Sequence, residues 1–253
     1  FDQQSQRYVT YKGASTMLPG SLAEADAGLR GRYEEQIEGA LGLYGDLVEA
    51  GSMVARMLES NMVWHTDSSF RETPALASVL SARTIPGVGG ETEFVSQRAS
   101  WNRLSASLRA KLSNCYAWHS YAHSRGKIDP GLASQREQNA LPPACWRMRW
   151  RNPVNGRDAL YIASHTGGIE GMEDKEALTL IDELMAISTA PGHSYEHVWR
   201  NGDFVMWDNR ATMHRGRPWP MDKVRYMIRT TIAASDADGV SEMRPPHHPR
   251  KAA

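Results

Sequence analysis

A histidine and an aspartate two residues apart, in Asn61-Met62-Val63-Trp64-His65-Thr66-Asp67-Ser68-Ser69-Phe70, constrain this chain more than any other stretch. Alternate side chains of an extended strand share a face, so His65 and Asp67 would present an imidazole and a carboxylate to the same side. Two such groups on one face make half of a metal site. The best candidate for the other half is His214, in Trp207-Asp208-Asn209-Arg210-Ala211-Thr212-Met213-His214-Arg215-Gly216. Two histidines and one carboxylate form the facial triad of non-haem Fe(II) sites and leave coordination positions open. A bare His-x-Asp is common by chance, and each of the nine histidines is by itself more often a core or surface residue than a ligand. A fold that uses the triad must bring opposite ends of the chain together.

Length and composition narrow the setting. A chain of 253 residues fits one domain. Its 41% hydrophobic and 23% charged residues are ordinary for a soluble globular protein. Lys+Arg and Asp+Glu both number 29, so no nucleic-acid or other polyanion partner is expected, although a local basic site is allowed. No apolar run is long enough for a membrane span and no signal peptide is visible. Cys115 and Cys145 lack metal-site spacing and read as reduced thiols of a cytoplasmic protein. A start at Phe1 rather than Met leads us to expect a missing N-terminal segment. A homo-oligomer is left open.

In chain order, Tyr8–Tyr11 suggests a short strand, and Leu22, Ala25 and Leu29 behind Ser21 suggest a helix to about residue 40. Residues 14–57 are read as a lid or helical insertion. Strands are expected at 76–83, 91–95, 158–164, 195–199, 203–207 and 226–233. Helices are expected at 104–112 and from Asp174 to about Ser188, the latter with a stripe of Ala177, Leu178, Ile181, Leu184 and Met185. Residues 128–143 read as an irregular insertion and 236–253 as a polar tail. Short strands, few helices and frequent turns favour a mainly β fold with flanking helices, a sandwich or jelly roll.

Arg225 and Arg229 follow the distal histidine and lie four apart on an expected strand, so they would share a face. Inward arginines call for anionic partners, which they grip bidentately. Structural ion pairs are an equally simple explanation for them.

The segments 61–70, Gly89-Gly90-Glu91-Thr92-Glu93-Phe94 and 207–216, together with Arg225 and Arg229, resemble the Fe(II)/2-oxoglutarate dioxygenases of the taurine dioxygenase family. Within it, Trp-His-Thr-Asp-Ser-Ser-Phe, Ala140-Leu141-Pro142-Pro143, Tyr161-Ile162-Ala163-Ser164-His165 and Ile169-Glu170-Gly171-Met172 are similar to the 2,4-dichlorophenoxyacetate dioxygenase branch. The resemblance covers roughly residues 58–235. It implies a double-stranded β-helix (jelly roll, cupin-like) in a single dioxygenase domain over 1–235. Iron would be held by His65, Asp67 and His214. Arg225 would take the distal carboxylate of 2-oxoglutarate, assisted by Thr92. Arg229 and Asn61 fall at substrate-contacting positions, and His119 and His165 match branch histidines near substrate. Trp207 to Arg210 match a family signature and read as supporting and packing residues.

The implied reaction hydroxylates a small anionic substrate, an aryloxyalkanoate or related carboxylate, with O2 consumed and succinate and CO2 released. Where the branch has a second histidine after His165 this chain has Gly168, which bears on aromatic-ether specificity. A taurine, alkyl sulfonate or sulfate ester dioxygenase is the alternative within the class. Outside it stand a non-catalytic jelly-roll small-molecule-binding protein and a zinc hydrolase. Trp64, Tyr116, Trp118 and Met172 are candidate walls of a closed site, although core packing is the simpler role for each.

Overall fold

The computed structural model describes residues 7–11, 14–18, 53–220 and 222–246. The expected helix from Ser21 and residues 41–52 of the suggested lid lie outside the described residues, as does the tail from 247 onward.

The described chain is mainly β, and its paired strands run antiparallel. One sheet has the order β11-β3-β13-β1-β2, built from Phe204–Asp208 (β11), Ala75–Thr84 (β3), Tyr226–Ala233 (β13), Arg7–Tyr11 (β1) and Ala14–Leu18 (β2). A second sheet has the order β10-β4-β12, from Ser194–His197 (β10), Thr92–Ser96 (β4) and Thr212–Gly216 (β12). A third joins Ala144–Arg147 (β6), Tyr116–His119 (β5) and Thr166–Ile169 (β9), and a ribbon joins Arg149–Arg151 (β7) to Asp158–Leu160 (β8). The strands are rich in Thr and in Tyr, Trp and Phe, side chains that fit a pleated and half-buried surface.

Helices flank these sheets. Met53–Glu59 (α1) precedes the His-x-Asp segment, while Gln97–Arg103 (α2) and Ala106–Leu112 (α3) follow β4. Ser96 and Ser105 cap α2 and α3 by accepting from Ala99 N and Leu108 N. Leu104 ends α2, so the expected helix over 104–112 begins only at Ala106. Tyr121–Gly126 (α4) and Gln135–Ala140 (α5) lie between β5 and β6.

The longest helix, Asp174–Thr189 (α6), is capped by the Glu173 carboxylate, which accepts from Lys175 N and Glu176 N. It buries Ala177, Leu180, Ile181, Leu184 and Ser188, a spacing of three and four that lies along one face. Leu180 replaces the expected Leu178, which is 38% exposed because it sits about 100° round the helix from Ala177. This face packs with Val95, Trp101, Leu112, Met148, Ile162 and Met213 in the main core. A smaller core joins Trp146, Trp150, Tyr161 and Ala234 to Val240 and Met243.

Four sequence expectations are corrected. Residues 65–67 are not on a strand: His65 makes an isolated bridge to His214, and a turn begins at Asp67. Arg225 precedes β13, and a register shift between Tyr226 and Met227 breaks the simple alternation with Arg229. The 128–143 insertion contains α5, which buries none of its own residues and is held by a capping box between Ser134 and Glu137. Residues 236–246 are not a free tail: Val240 and Met243 of the short helix Val240–Met243 (α7) are each 1% exposed.

Candidate active site

The site is built on an isolated bridge between the His65 segment and β12. His65 N donates to His214 O at 2.9 Å and His214 N to His65 O at 2.8 Å, which sets the two imidazoles side by side with centroids 4.2 Å apart. His214 is delivered by β12, opposite Phe94 of β4. Asp67 enters from the turn, with Oδ1 3.9 Å from His65 Nε2 and Oδ2 3.7 Å from His214 Nε2. All three residues are buried and each offers a ligand atom within 4.8 Å of the others.

The turn is held from outside. Ser68 is a non-glycine residue at φ 57°, left-handed backbone that costs about 1 kcal/mol or more unless its surroundings impose it. Trp146 Nε1 donates to Ser69 O at 2.6 Å, and His165 Nδ1 shares a 3.2 Å hydrogen bond with Ser69 Oγ. Asn209 Oδ1 accepts from Asp67 N, Thr66 Oγ1 and Trp207 Nε1 at 3.0–3.3 Å. Asn209 Nδ2 donates to Ser78 Oγ at 2.9 Å, and Ser78 Oγ donates to Asp67 Oδ2 at 2.6 Å. Ser78 lies in the middle of β3, so this relay ties the carboxylate to the larger sheet.

Charge follows from burial and neighbours. Burial lowers the pKa of both imidazoles, that of His214 to about 3, so both rings are neutral at ordinary pH. His65 Nδ1–H donates to Val63 O at 2.8 Å, which leaves the Nε2 lone pair facing Asp67. Burial would raise the Asp67 carboxyl, but Arg229, His214, His65 and Ser78 together hold it well below the usual carboxylate range. A neutral imidazole with a fixed tautomer beside an ionised carboxylate is what a metal ion requires.

The donor set fits a non-haem Fe(II) ion. Metal bonds to nitrogen and oxygen of about 2.0–2.2 Å place adjacent donors about 3 Å apart, and the observed 3.7 and 3.9 Å lie within an ångström of that. The His214 Nδ1 is buried without a hydrogen-bond partner among the described residues, so its ring is held by packing against Phe94 and Trp207.

The arginines take different places. Arg229 of β13 donates from Nη1 to Asp67 Oδ1 at 2.9 Å. Arg225 donates from Nε and Nη2 to Gly90 O at 3.3 and 3.0 Å and lies over the Trp219 ring. Gly90 has φ +74°, and a Cβ there would meet Arg225 Nε at 2.9 Å, so the close approach needs glycine. Thr92, buried two residues on, accepts from Trp199 Nε1 at 2.9 Å.

The other expected residues divide. His165 is buried with its ring centroid 6.3 Å from that of His65. His119 is wholly buried, stacked on Tyr161 at 5.4 Å and 3.4 Å from Thr166 Oγ1, and burial lowers its pKa to about 3. Asn61 O accepts from Gly216 N, tying the start of the segment to β12. Trp64 and Met172 pack against the main core, with Arg215 lying over Trp64. Tyr116 OH accepts from Arg147 Nη2. Sequence reasoning missed Ser78, whose only signal was a hydroxyl in the buried run Ala77-Ser78-Val79.

The family model described as taurine catabolism dioxygenase TauD, TfdA family, matches residues 28–231. The chain belongs to this family. Among its relatives, an alpha-ketoglutarate-dependent 2,4-dichlorophenoxyacetate dioxygenase of Burkholderia sp. (strain RASC) is 38% identical over 172 residues, covering 68% of this chain and 58% of the relative. An (S)-phenoxypropionate/alpha-ketoglutarate-dioxygenase of Sphingobium herbicidovorans is 33% identical over 188 residues, covering 72% and 66%. The chain therefore spans less than two thirds of the length of either. A crystal structure of AAD-2 in complex with Mn(II) and N-oxalylglycine superposes with a TM-score of 0.72 at 36% identity, over 74% of this chain and 65% of the other.

Proposed function

We propose that this chain is an Fe(II)- and 2-oxoglutarate-dependent dioxygenase that hydroxylates a small anionic substrate, an aryloxyalkanoate or related carboxylate. The observation that carries the reading is the buried meeting of His65, Asp67 and His214, each with a ligand atom within 4.8 Å of the others. The antiparallel sheets that contain β3 and β4, with the His65 segment bridged to β12, support a double-stranded β-helix as the core. Relatives named for phenoxyacetate and phenoxypropionate support the substrate class.

In this reading His65, Asp67 and His214 hold the iron. Bound iron, with 2-oxoglutarate and O2, supplies the oxidising power to hydroxylate a C–H bond while succinate and CO2 leave. The chain's own residues do the rest. Ser78 and Asn209 fix the carboxylate, and burial keeps both imidazoles in their ligating form. Arg225 offers a guanidinium to the distal carboxylate of 2-oxoglutarate, with Thr92 beside it. Arg229 steadies Asp67 and brings positive charge toward the substrate's anionic group, which Asn61, His119 and His165 help to place. Orientation and anion binding are the protein's share of the catalysis.

Cys115 and Cys145 are free, which supports a cytoplasmic setting. No helix among the described residues is long and apolar enough to cross a membrane.

The test is succinate formation with Fe(II), O2 and 2-oxoglutarate across phenoxyacetate, phenoxypropionate, taurine and an alkyl sulfate. The aryloxy acids are expected to accelerate it most. No succinate with any of them would contradict the activity, and a preference for taurine or the sulfate would contradict the substrate class.

A further inference from the structure

We propose that a cavity on the outer face of β6 and β7 is a binding site for a small phosphate monoester, gripped by Arg147, Arg149 and Arg151 and separate from the candidate metal centre.

The sequence sets up its wall. In Trp146-Arg147-Met148-Arg149-Trp150-Arg151 apolar and cationic residues alternate, and extended backbone sends them to opposite faces. Trp146, Met148 and Trp150 are at most 1% exposed and fill the two cores. The three arginines therefore leave the other face together. A row of arginines is ordinarily a solvated face, but this one lines a cavity of about 190 Å³ together with Gly239, Glu242 and Met243 of the α7 segment. None of His65, Asp67 and His214 lines it. Gly239 has φ +93°, and a Cβ there would meet Trp150 Nε1 at 3.2 Å and Arg151 O at 3.4 Å, so glycine keeps the α7 segment close to β7.

The guanidiniums are positioned but not neutralised. Arg147 donates from Nε to Glu242 O at 3.2 Å, from Nη1 to Ser113 O at 3.0 Å and from Nη2 to Tyr116 OH at 2.7 Å. All three acceptors are uncharged, so its place is fixed while its charge is left over. Arg149 and Arg151 share Asp158 of β8, which lies 3.9 Å from each. A charge-assisted hydrogen bond is about 2.7–2.9 Å long, so Asp158 offsets charge without occupying their donors. Arg149 Nε is buried with no hydrogen-bond partner among the described residues. Glu242, exposed on α7, brings the second carboxylate, and three guanidiniums against two carboxylates leave a positive surplus.

The shape of the donors selects the ligand. Guanidinium forks from three residues suit a group with acceptor oxygens on several sides. A phosphate monoester has three such oxygens and a charge of about −1.5 to −2 near pH 7, whereas a carboxylate has two oxygens in one plane. Cavities of roughly 150 Å³ hold a guest the size of benzene, so methyl phosphate, with as many heavy atoms, has room here.

The experiment titrates the whole chain, without metal and at low salt, with methyl phosphate and with succinate, and reads binding by calorimetry. One methyl phosphate per chain is expected, held at least about tenfold more tightly than succinate. Arg149→Gln and Arg151→Gln should each weaken it by about tenfold to a hundredfold, the range of a charge-assisted hydrogen bond. Arg149→Lys should keep part of the affinity. The Arg151 side chain is 55% exposed, so Arg151→Gln should unfold in urea as the wild type does, which separates lost binding from lost fold. Arg225→Gln and Arg229→Gln should bind methyl phosphate as the wild type does, because an anion taken up at the candidate active site would depend on those residues. No binding of methyl phosphate by the wild type overturns the proposal, as does succinate binding as tightly. Affinity that survives both glutamine variants at 149 and 151, or that falls with Arg225 or Arg229 instead, overturns it equally.

Discussion

The two halves of the candidate metal centre are built in different ways. His214 comes from a regular strand, where β12 pairs residue for residue with β4 from Thr212↔Ser96 to Gly216↔Thr92. Asp67 comes from a turn through left-handed Ser68, whose shape is imposed by Trp146, His165 and Asn209, residues remote in sequence. The strand half is held by backbone hydrogen bonds that any side chain can make. The turn half is held by a few specific side chains acting together, and its geometry fails when one of them is removed. Substitutions on the turn side are therefore expected to cost metal affinity out of proportion to their cost in stability.

The largest expected effect is at the ligand. Asp67→Ala leaves Arg229 facing no carboxylate and removes one of three donors. Mn(II) affinity should fall by more than about a hundredfold, because even the outer partners of metal ligands account for about 10–100-fold. An affinity within tenfold of wild type in a spectroscopic titration would break the assignment.

Asn209→Ala comes next. It removes the acceptor shared by Asp67 N, Thr66 and Trp207 and the donor that orients Ser78. We expect about tenfold or more lost in Mn(II) affinity and about 1–3 kcal/mol lost in urea unfolding. Unfolding without a change in affinity would show that the relay serves the fold alone.

Met213→Leu should do least. Met213 is wholly buried on β12 beside His214, and a swap of similar volume costs less than about 1.5 kcal/mol. Affinity should stay within about twofold. A larger loss would mean that the strand half is as delicate as the turn half, and the comparison would fall.

The same contrast explains what was legible in the sequence. The strand at 226–233 and the helix from Asp174 were readable in the sequence, and the candidate trio His65, Asp67 and His214 from residue types together with the family resemblance. The turn at Asp67 was not, because its shape is set by contacts across 77 to 142 residues of sequence, from Trp146 Nε1 to Ser69 O up to Asp67 N to Asn209 Oδ1. Helix α5 hid in a stretch with no apolar period, although Ser134 and Glu137 carry a readable capping signal. Val240 and Met243 were masked by the Pro- and His-rich residues after them. Ser78 is one hydroxyl on the ten-residue strand β3, where spacing does not tell which partner it meets.

The most direct test of the metal centre is an anaerobic titration of Fe(II) into the protein in the presence of 2-oxoglutarate, followed by visible absorption. A weak charge-transfer band should grow to saturation at one iron per chain and be absent in Asp67→Ala. A band of equal strength in Asp67→Ala, or none in the wild type, would contradict a single ion held by His65, Asp67 and His214.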